Sequence, residues 1–414
     1  MTSQNALLER NLKLLIWLKV LYSCLFMNGI FLLYFMDNGL TDVEFFQAFG
    51  FMSLAIVISE IPVNYLSDRW KHKWGHFMGA CILVLAHVWL FLTEGFWFAA
   101  VFYAMLGVGF SFIRGSYGAL LYDSLAALGR IDQHEFYQSR IGAYSRSIMG
   151  ITGVLSGFVF VYAPQGIVLI QMIPQVMLAV LTLMLVEPPR VKIEGSGLQL
   201  NLLGQAFKQA FNHKDLKWLV LIISIFVAAQ SKAFYVIQPV MLEMKFTLNV
   251  IESADVTRII LIGIVSAFAQ FSIAAAMYNT KSLKNILSDK GVVVLCCVLA
   301  SMGYLLCGFF HGMWQGLFFI MAVFLASGFA QVVTNVMIHE RISSEIRATV
   351  TAMRSMVVGL VFFVVNAVFA WSIDIWSFAA ALFVTGSIVL MVSFGCMRFI
   401  RFQQTKVSKV TVLS

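Results

Sequence analysis

A chain of 414 residues that is 60% hydrophobic and only 12% charged is excluded from the water-soluble globular proteins, which carry roughly a quarter charged residues. A mean hydropathy of +0.88 makes the lipid bilayer its solvent. The net charge of +8 does not point to nucleic acid, because Lys and Arg sit in short breaks between apolar runs rather than on one soluble face.

The opening residues place Glu9, Arg10 and Lys13 ahead of an apolar run that continues to Phe35. That run is too long for a signal-peptide core and has no small-residue cleavage site, so it is expected to remain as the first span. Cutting the chain at its polar and turn-forming breaks predicts spans at 12–36, 43–66, 76–93, 96–122, 140–162, 165–186, 216–240, 254–278, 290–310, 313–338, 349–372 and 375–397. Each apolar stretch is long enough to cross a hydrocarbon core of ~30 Å as a helix. The expected fold is therefore an all-α membrane protein of about twelve transmembrane helices.

Alternate breaks are basic: Asp68 to Lys73, Arg130 to Arg146, Arg190 to Lys217, Lys281 to Lys290, Arg341 to Arg354, and Arg398 to Lys409. Of the 28 Lys and Arg, only Lys19, Arg114, Lys232, Lys245 and Arg258 are assigned to spans or to the opposite loops. The positive-inside rule then puts both termini on the cytoplasmic side of a cytoplasmic (inner) membrane. The longest break, 187–215, divides the chain into a six-helix bundle at 1–186 and another at 216–400, followed by a tail at 401–414. Two such halves are the hydropathy of a carrier that binds its solute between them. Within the central loop, Leu203, Ala206, Phe207, Ala210 and Phe211 recur at helical spacing opposite Gln205, Lys208 and Gln209. This predicts a short amphipathic helix on the inner membrane surface, with an unstructured tether as the alternative.

The stretch after span two reads Glu60-Ile61-Pro62-Val63-Asn64-Tyr65-Leu66-Ser67-Asp68-Arg69-Trp70-Lys71-His72-Lys73, and it resembles the signature of the major facilitator superfamily between its second and third helices. Gly118 to Leu125, with Tyr122 and Asp123, and the Arg347-Ala348-Thr349 triplet before span eleven also look like that superfamily. Asn64 and Lys71 stand where the family signature carries glycine, and span five has Gly150, Gly153 and Gly157 but lacks the proline of the family's antiporter signature. The resemblance implies two six-helix bundles that alternate access to a central cavity lined by spans one, four, seven and ten. It also implies gating by Asp68, Arg69 and Arg347 at the cytoplasmic mouth, with Asp123 as the partner of Arg69. Carboxylates and guanidinium groups at helix ends clamp one state and release in the other.

An ionisable side chain inside a span costs at least ~2.5 kcal/mol, so each needs a partner, a wet cavity or a task. Lys19, Arg114 and Lys232 fall in three of the four spans that the resemblance assigns to the cavity, and together predict a positive chamber for an anionic solute. Lys19 has the alternative of snorkelling toward the surface. Arg258 is expected to pair with Asp255 or to reach the headgroups. Glu60 either couples transport to protons or neutralises Arg114 or a neighbouring helix. His87 and the His339-Glu340 pair are weaker proton-relay candidates. Gln331 and Asn335, four residues apart in span ten, share one face and are candidates to touch the solute.

No phosphate-binding glycine loop, nucleophile elbow or metalloprotease motif occurs. His72 and His76 lie in a loop with no third ligand, so neither a metal nor another cofactor is expected. The reading is a secondary active transporter, not an enzyme. It would move a small, anionic organic solute by alternating access, coupled to protons or another ion; export of a metabolite such as a carboxylate siderophore is one form. A proton-coupled multidrug efflux antiporter and a non-transporting receptor or scaffold are the alternatives. The first predicts that Glu60 governs lipophilic-cation resistance, the second that neutralising Arg114 and Lys232 changes nothing.

Overall fold

Backbone amides that cross lipid have no water to bond, so apolar runs of this length satisfy themselves as helices. The structure, a computed structural model, describes residues 3–189, 215–244, 254–339, 341 and 347–400. The described residues form thirteen α-helices and one 3₁₀ turn. In the first half of the chain these are α1 (Ser3–Tyr22), α2 (Phe31–Asp37), α3 (Asp42–Arg69), α4 (His72–Leu92), α5 (Phe96–Ala127), α6 (His134–Tyr162) and α7 (Gly166–Leu183). The second half contributes α8 (Leu216–Glu243), α9 (Ala254–Ile286), α10 (Asp289–Phe309), α11 (Trp314–His339), α12 (Arg347–Ile375) and α13 (Phe378–Met397). The amphipathic helix expected at 203–211 and the tail at 401–414 lie outside the described residues.

Eleven of these helices are long and apolar enough to cross a membrane. The predicted first span is the exception, because it is not one continuous helix. α1 stops at Tyr22, residues 23–30 are irregular, and α2 is a single short segment. The break is stable because another helix supplies what the backbone lacks. Gln171 of α7 accepts from the Met27 amide at 3.3 Å and donates its own amide to the Cys24 carbonyl at 2.9 Å. Gln238 of α8 accepts from the Leu33 amide at 3.2 Å. An apolar stretch in the sequence marks where lipid is crossed but carries no record of such distant partners.

Several other helices outrun their apolar cores at the basic end. α3, α5, α6 and α9 reach Arg69, Ala127, His134 and Ile286, past the predicted limits of 66, 122, 140 and 278. Hydropathy reports only the lipid-crossing part of a helix, whereas these ends continue into the basic face. There the chain is tied down locally. Glu187 accepts from the first amides of α4, His72 at 2.7 Å and Lys73 at 3.0 Å, a carboxylate at a helix N-terminus. Asn11 of α1 and Val186 exchange two hydrogen bonds of 2.6 and 3.0 Å. On the opposite, acidic face, Thr41 and Glu44 form a reciprocal capping box at the start of α3.

In the first half α5 packs between α3 and α4, and α4 against α7; in the second, α10 packs on α11 and α13, and α9 on α11. Two seams join the halves, α3 against α12 and α6 against α9. The α6–α9 seam is close because it is built on glycine. A Cβ on Gly263 would stand 2.5 Å from the Gly153 carbonyl oxygen, and one on Gly157 would stand 2.9 Å from that of Ile259. Small residues let two helix backbones approach in this way.

Candidate functional site

The two seams leave a cavity of about 290 Å³ between them at mid-depth. Asn28 in the helix break, α3, α5 and α6 line it from the first half of the chain, and α8, α9 and α12 from the second. Most of the wall is apolar, with Phe49, Met52, Phe110, Met149, Phe234 and Phe362 among its larger groups. Its polar positions are two guanidinium groups, Arg114 and Arg146, the amides of Asn28, Gln230 and Gln270, and the hydroxyls of Ser53, Ser231, Tyr235 and Ser355. A mainly apolar pocket with a few convergent polar groups is the usual form of a small-molecule site.

Arg114 stands roughly 20 Å by helix rise from the basic end of α5. Its side chain is nevertheless 44% exposed, and it lies 3.8 Å from the Glu60 carboxylate. Of the two roles open to Glu60, the geometry therefore contains the neutralising one. Ser111 also donates to Glu60 at 3.4 Å. Arg146 of α6 donates to the Gln270 side-chain oxygen of α9 at 2.8 Å, a contact that crosses the seam. The sequence assigned Arg146 to a basic break; it is instead a helical residue on the cavity wall. A signal was present. Arg146, Gly150, Gly153 and Gly157 recur at helical spacing, so the arginine shares the face that packs against α9.

Lys19 does not line this cavity. Its ammonium lies 4.6 Å from the centre of the Tyr22 ring and 5.6 Å from that of Tyr117, within electrostatic range of Arg114 and Arg146. Lys232 is fully buried on the acidic side of the cavity. It donates to the Asn366 side-chain oxygen and faces the rings of Phe46 at 4.1 Å and Phe369 at 4.5 Å. Gln331 sits behind the wall, donating to Gln230 at 2.8 Å and Ser327 at 2.9 Å. Asn335 accepts from Arg354 of α12, a second arginine that the sequence had placed in a break.

At the basic face Arg69 is exposed at the end of α3, and Asp123 lies 4.0 Å from His72. Asp68 and Arg347 fall at the ends of α3 and α12; their side chains, like that of His339, and residue Glu340 lie outside the described residues. Arg258 pairs with Asp255 at 3.3 Å, and His87 lies 2.9 Å from the Leu83 carbonyl within its own helix.

On the acidic side of the cavity an aromatic joint closes the gap between the halves. Phe49 meets Tyr235 at 4.4 Å and Phe362 at 5.3 Å, and Phe46 meets Phe369 at 4.9 Å, between ring centroids.

No family model matches the chain, and no curated protein matches it. Solved structures do. A mutant of the nucleoside transporter NupG is 15% identical, with a TM-score of 0.76 over 95% of this chain and all of that one. A POT family transporter in complex with 5-aminolevulinic acid is 13% identical, with a TM-score of 0.69 over 94% of this chain and 96% of that one. A bacterial homolog of the human lysosomal transporter Spinster, inward-facing and unoccupied, is 13% identical, with a TM-score of 0.66 over 98% of this chain and all of that one.

Proposed function

We propose that this chain, which has the major facilitator superfamily fold, is a secondary transporter that carries a small organic anion through the cavity between its two halves. The observation that carries the proposal is the pair Arg114 and Arg146 on the wall of a mid-depth cavity enclosed by both halves. With Glu60 offsetting Arg114, Arg146 is left to offer charge, and Lys19 lies close enough to add to the field. Apolar walls lower the local dielectric and strengthen the attraction between such groups and an anion. The amides on the α8 and α9 side offer hydrogen bonds to the neutral part of the same solute.

In this reading the halves are the bundles at 1–186 and 216–400, and the basic face is cytoplasmic, with both termini on that side. The aromatic joint is then the closed outer gate, and the cavity faces the cytoplasm, ready to load. Arg69, Asp123 and Arg347, with Asp68, act at the basic mouth when the cycle reverses. Gln331 holds Gln230 from behind the wall, Asn335 holds Arg354, and Lys232 stands outside the solute site. Multidrug efflux fits less well, because Glu60, the carboxylate beside the cavity, is already shared with Arg114.

The test is counterflow in proteoliposomes loaded with a mixture of organic anions, hydroxycarboxylates included. At the same low concentration, labelled anion should exchange through the native protein and far more slowly through Arg146→Gln. Equal exchange by both, or exchange of lipophilic cations instead, contradicts the proposal.

A further inference from the structure

We propose that Lys232 is the site where proton binding is coupled to opening of the acidic side of the carrier. Its amine is neutral while the aromatic joint is closed around it and takes a proton from water when the joint parts. This rests on the transporter reading above and adds to it the coupling ion and the group that binds it.

The argument begins with what surrounds the amine. Lys232 is one of the largest fully buried side chains in the protein. Its described partners are one amide oxygen, from Asn366 of α12, and two phenyl faces, Phe46 of α3 and Phe369 of α12. No carboxylate is among them. The carboxylates nearest along the same helices are engaged or directed elsewhere. Glu44 closes the capping box with Thr41 on α3, Glu243 at the end of α8 lies 2.8 Å from His311, and Asp374 on α12 is exposed. The titratable groups in the same aromatic cluster are tyrosines: Tyr235 of α8 donates to Asn28, and Tyr103 of α5 packs on Phe49 at 5.2 Å. A cation removed from water without an anion is costly, and ring faces offset only part of the lost hydration.

The second element is position. Phe46 belongs to the first half of the chain, and Lys232, Asn366 and Phe369 belong to the second, so the cage exists only while the halves are together on the acidic side. Parting α3 from α12 removes one wall and admits water, where a lysine amine is cationic. Closure reverses this, and the proton leaves through the cavity, which Phe49, one helical turn from Phe46, and Ser231, next to Lys232, both line. Each cycle thus takes one proton from water on the acidic side and delivers it to the basic side. No other chemical bond is made or broken.

The experiment separates exchange from coupling. Reconstituted native protein should exchange anions without a pH gradient, and under a pH gradient should accumulate them against their own gradient while a trapped pH dye reports proton movement. Lys232→Gln should keep exchange close to the native rate and lose both the gradient-driven accumulation and the dye response. Lys232→Met, which keeps the chain length and removes the amine, carries the same test should the first variant fail to fold. Lys232→Arg, which stays protonated, should slow exchange as well, because its joint cannot close. Accumulation retained in Lys232→Gln overturns the proposal, and so does loss of exchange from a well-folded Lys232→Gln, which would make the lysine a solute contact. Absence of exchange in the native protein would instead overturn the transporter reading.

Discussion

Arg146 on α6 and Gln270 on α9 bond across the seam between the halves at 2.8 Å, on the wall of the cavity. One guanidinium thus does two things: it offers positive charge to the cavity and holds the seam while it is unoccupied. In the proposed cycle an anion bound there would compete with Gln270 for that charge and so loosen one seam. A ligand shifts a conformational equilibrium only through such a difference in contacts.

Replacing Arg146 should therefore cost more than replacing its partner. A hydrogen bond to a charged group contributes about 1.5–3 kcal/mol, so Arg146→Gln should raise the KM for anion transport about ten- to a hundredfold. Gln270→Leu leaves the guanidinium free for solute and should change KM far less. Initial uptake rates over a range of anion concentrations separate the two, and equal effects would mean that the arginine acts only through the seam.

The crossing of α6 and α9 leaves no room for a side chain at Gly263 or Gly157. Gly263→Val places carbon 2.5 Å from the Gly153 carbonyl oxygen, and overpacking of this kind costs about 1–3 kcal/mol. The variant should melt at a lower temperature in detergent and transport slowly. Gly118→Ala is the control, since nothing lies within 4 Å of its new methyl group, and its melting temperature should stay near that of the native protein.

The broken first span should depend on Gln171. Gln171→Leu strips the Met27 amide and the Cys24 carbonyl of their partner, and each buried group left unsatisfied costs about 1–3 kcal/mol. Lower thermal stability is expected, together with faster maleimide labelling of Cys24 as the break loosens. Unchanged labelling and stability would show that the break is held by other contacts.

Much of this fold is legible in the sequence because lipid leaves few choices. Runs of apolar residues must be helices, and the boundaries of α10 and α11 fall within a residue of where the apolar runs place them. The broken first span was not legible, since its stability comes from Gln171 and Gln238, amides more than a hundred residues away. The cavity was legible only in part. Arg114 stands out because it interrupts a long apolar run, whereas Arg146 and Arg354 hide near span ends that run past their apolar cores. Lys232 was equally conspicuous in the sequence, but its burial away from the cavity depends on Phe46, Phe369 and Asn366, which composition does not distinguish from packing.

Glu60 separates anion transport from drug export. Because Arg114 is partly exposed, the Glu60–Arg114 pair is worth no more than about 1 kcal/mol. Glu60→Gln should release positive charge into the cavity and lower the KM for anions by at most about fivefold. Resistance of cells to lipophilic cations should be the same with the native protein and the variant. A fall in resistance on substitution would favour the proton-coupled drug exporter.

Ligand-induced stabilisation of the purified protein tests the central claim most directly. Matched sets of organic anions, their neutral amides and amine analogues are added, and the melting temperature is followed with concentration. The basic cavity predicts that anions raise it, that neutral and cationic analogues do not, and that the response disappears in the Arg114→Gln/Arg146→Gln double variant. Stabilisation by cations, or by anions equally well in the double variant, would contradict the account.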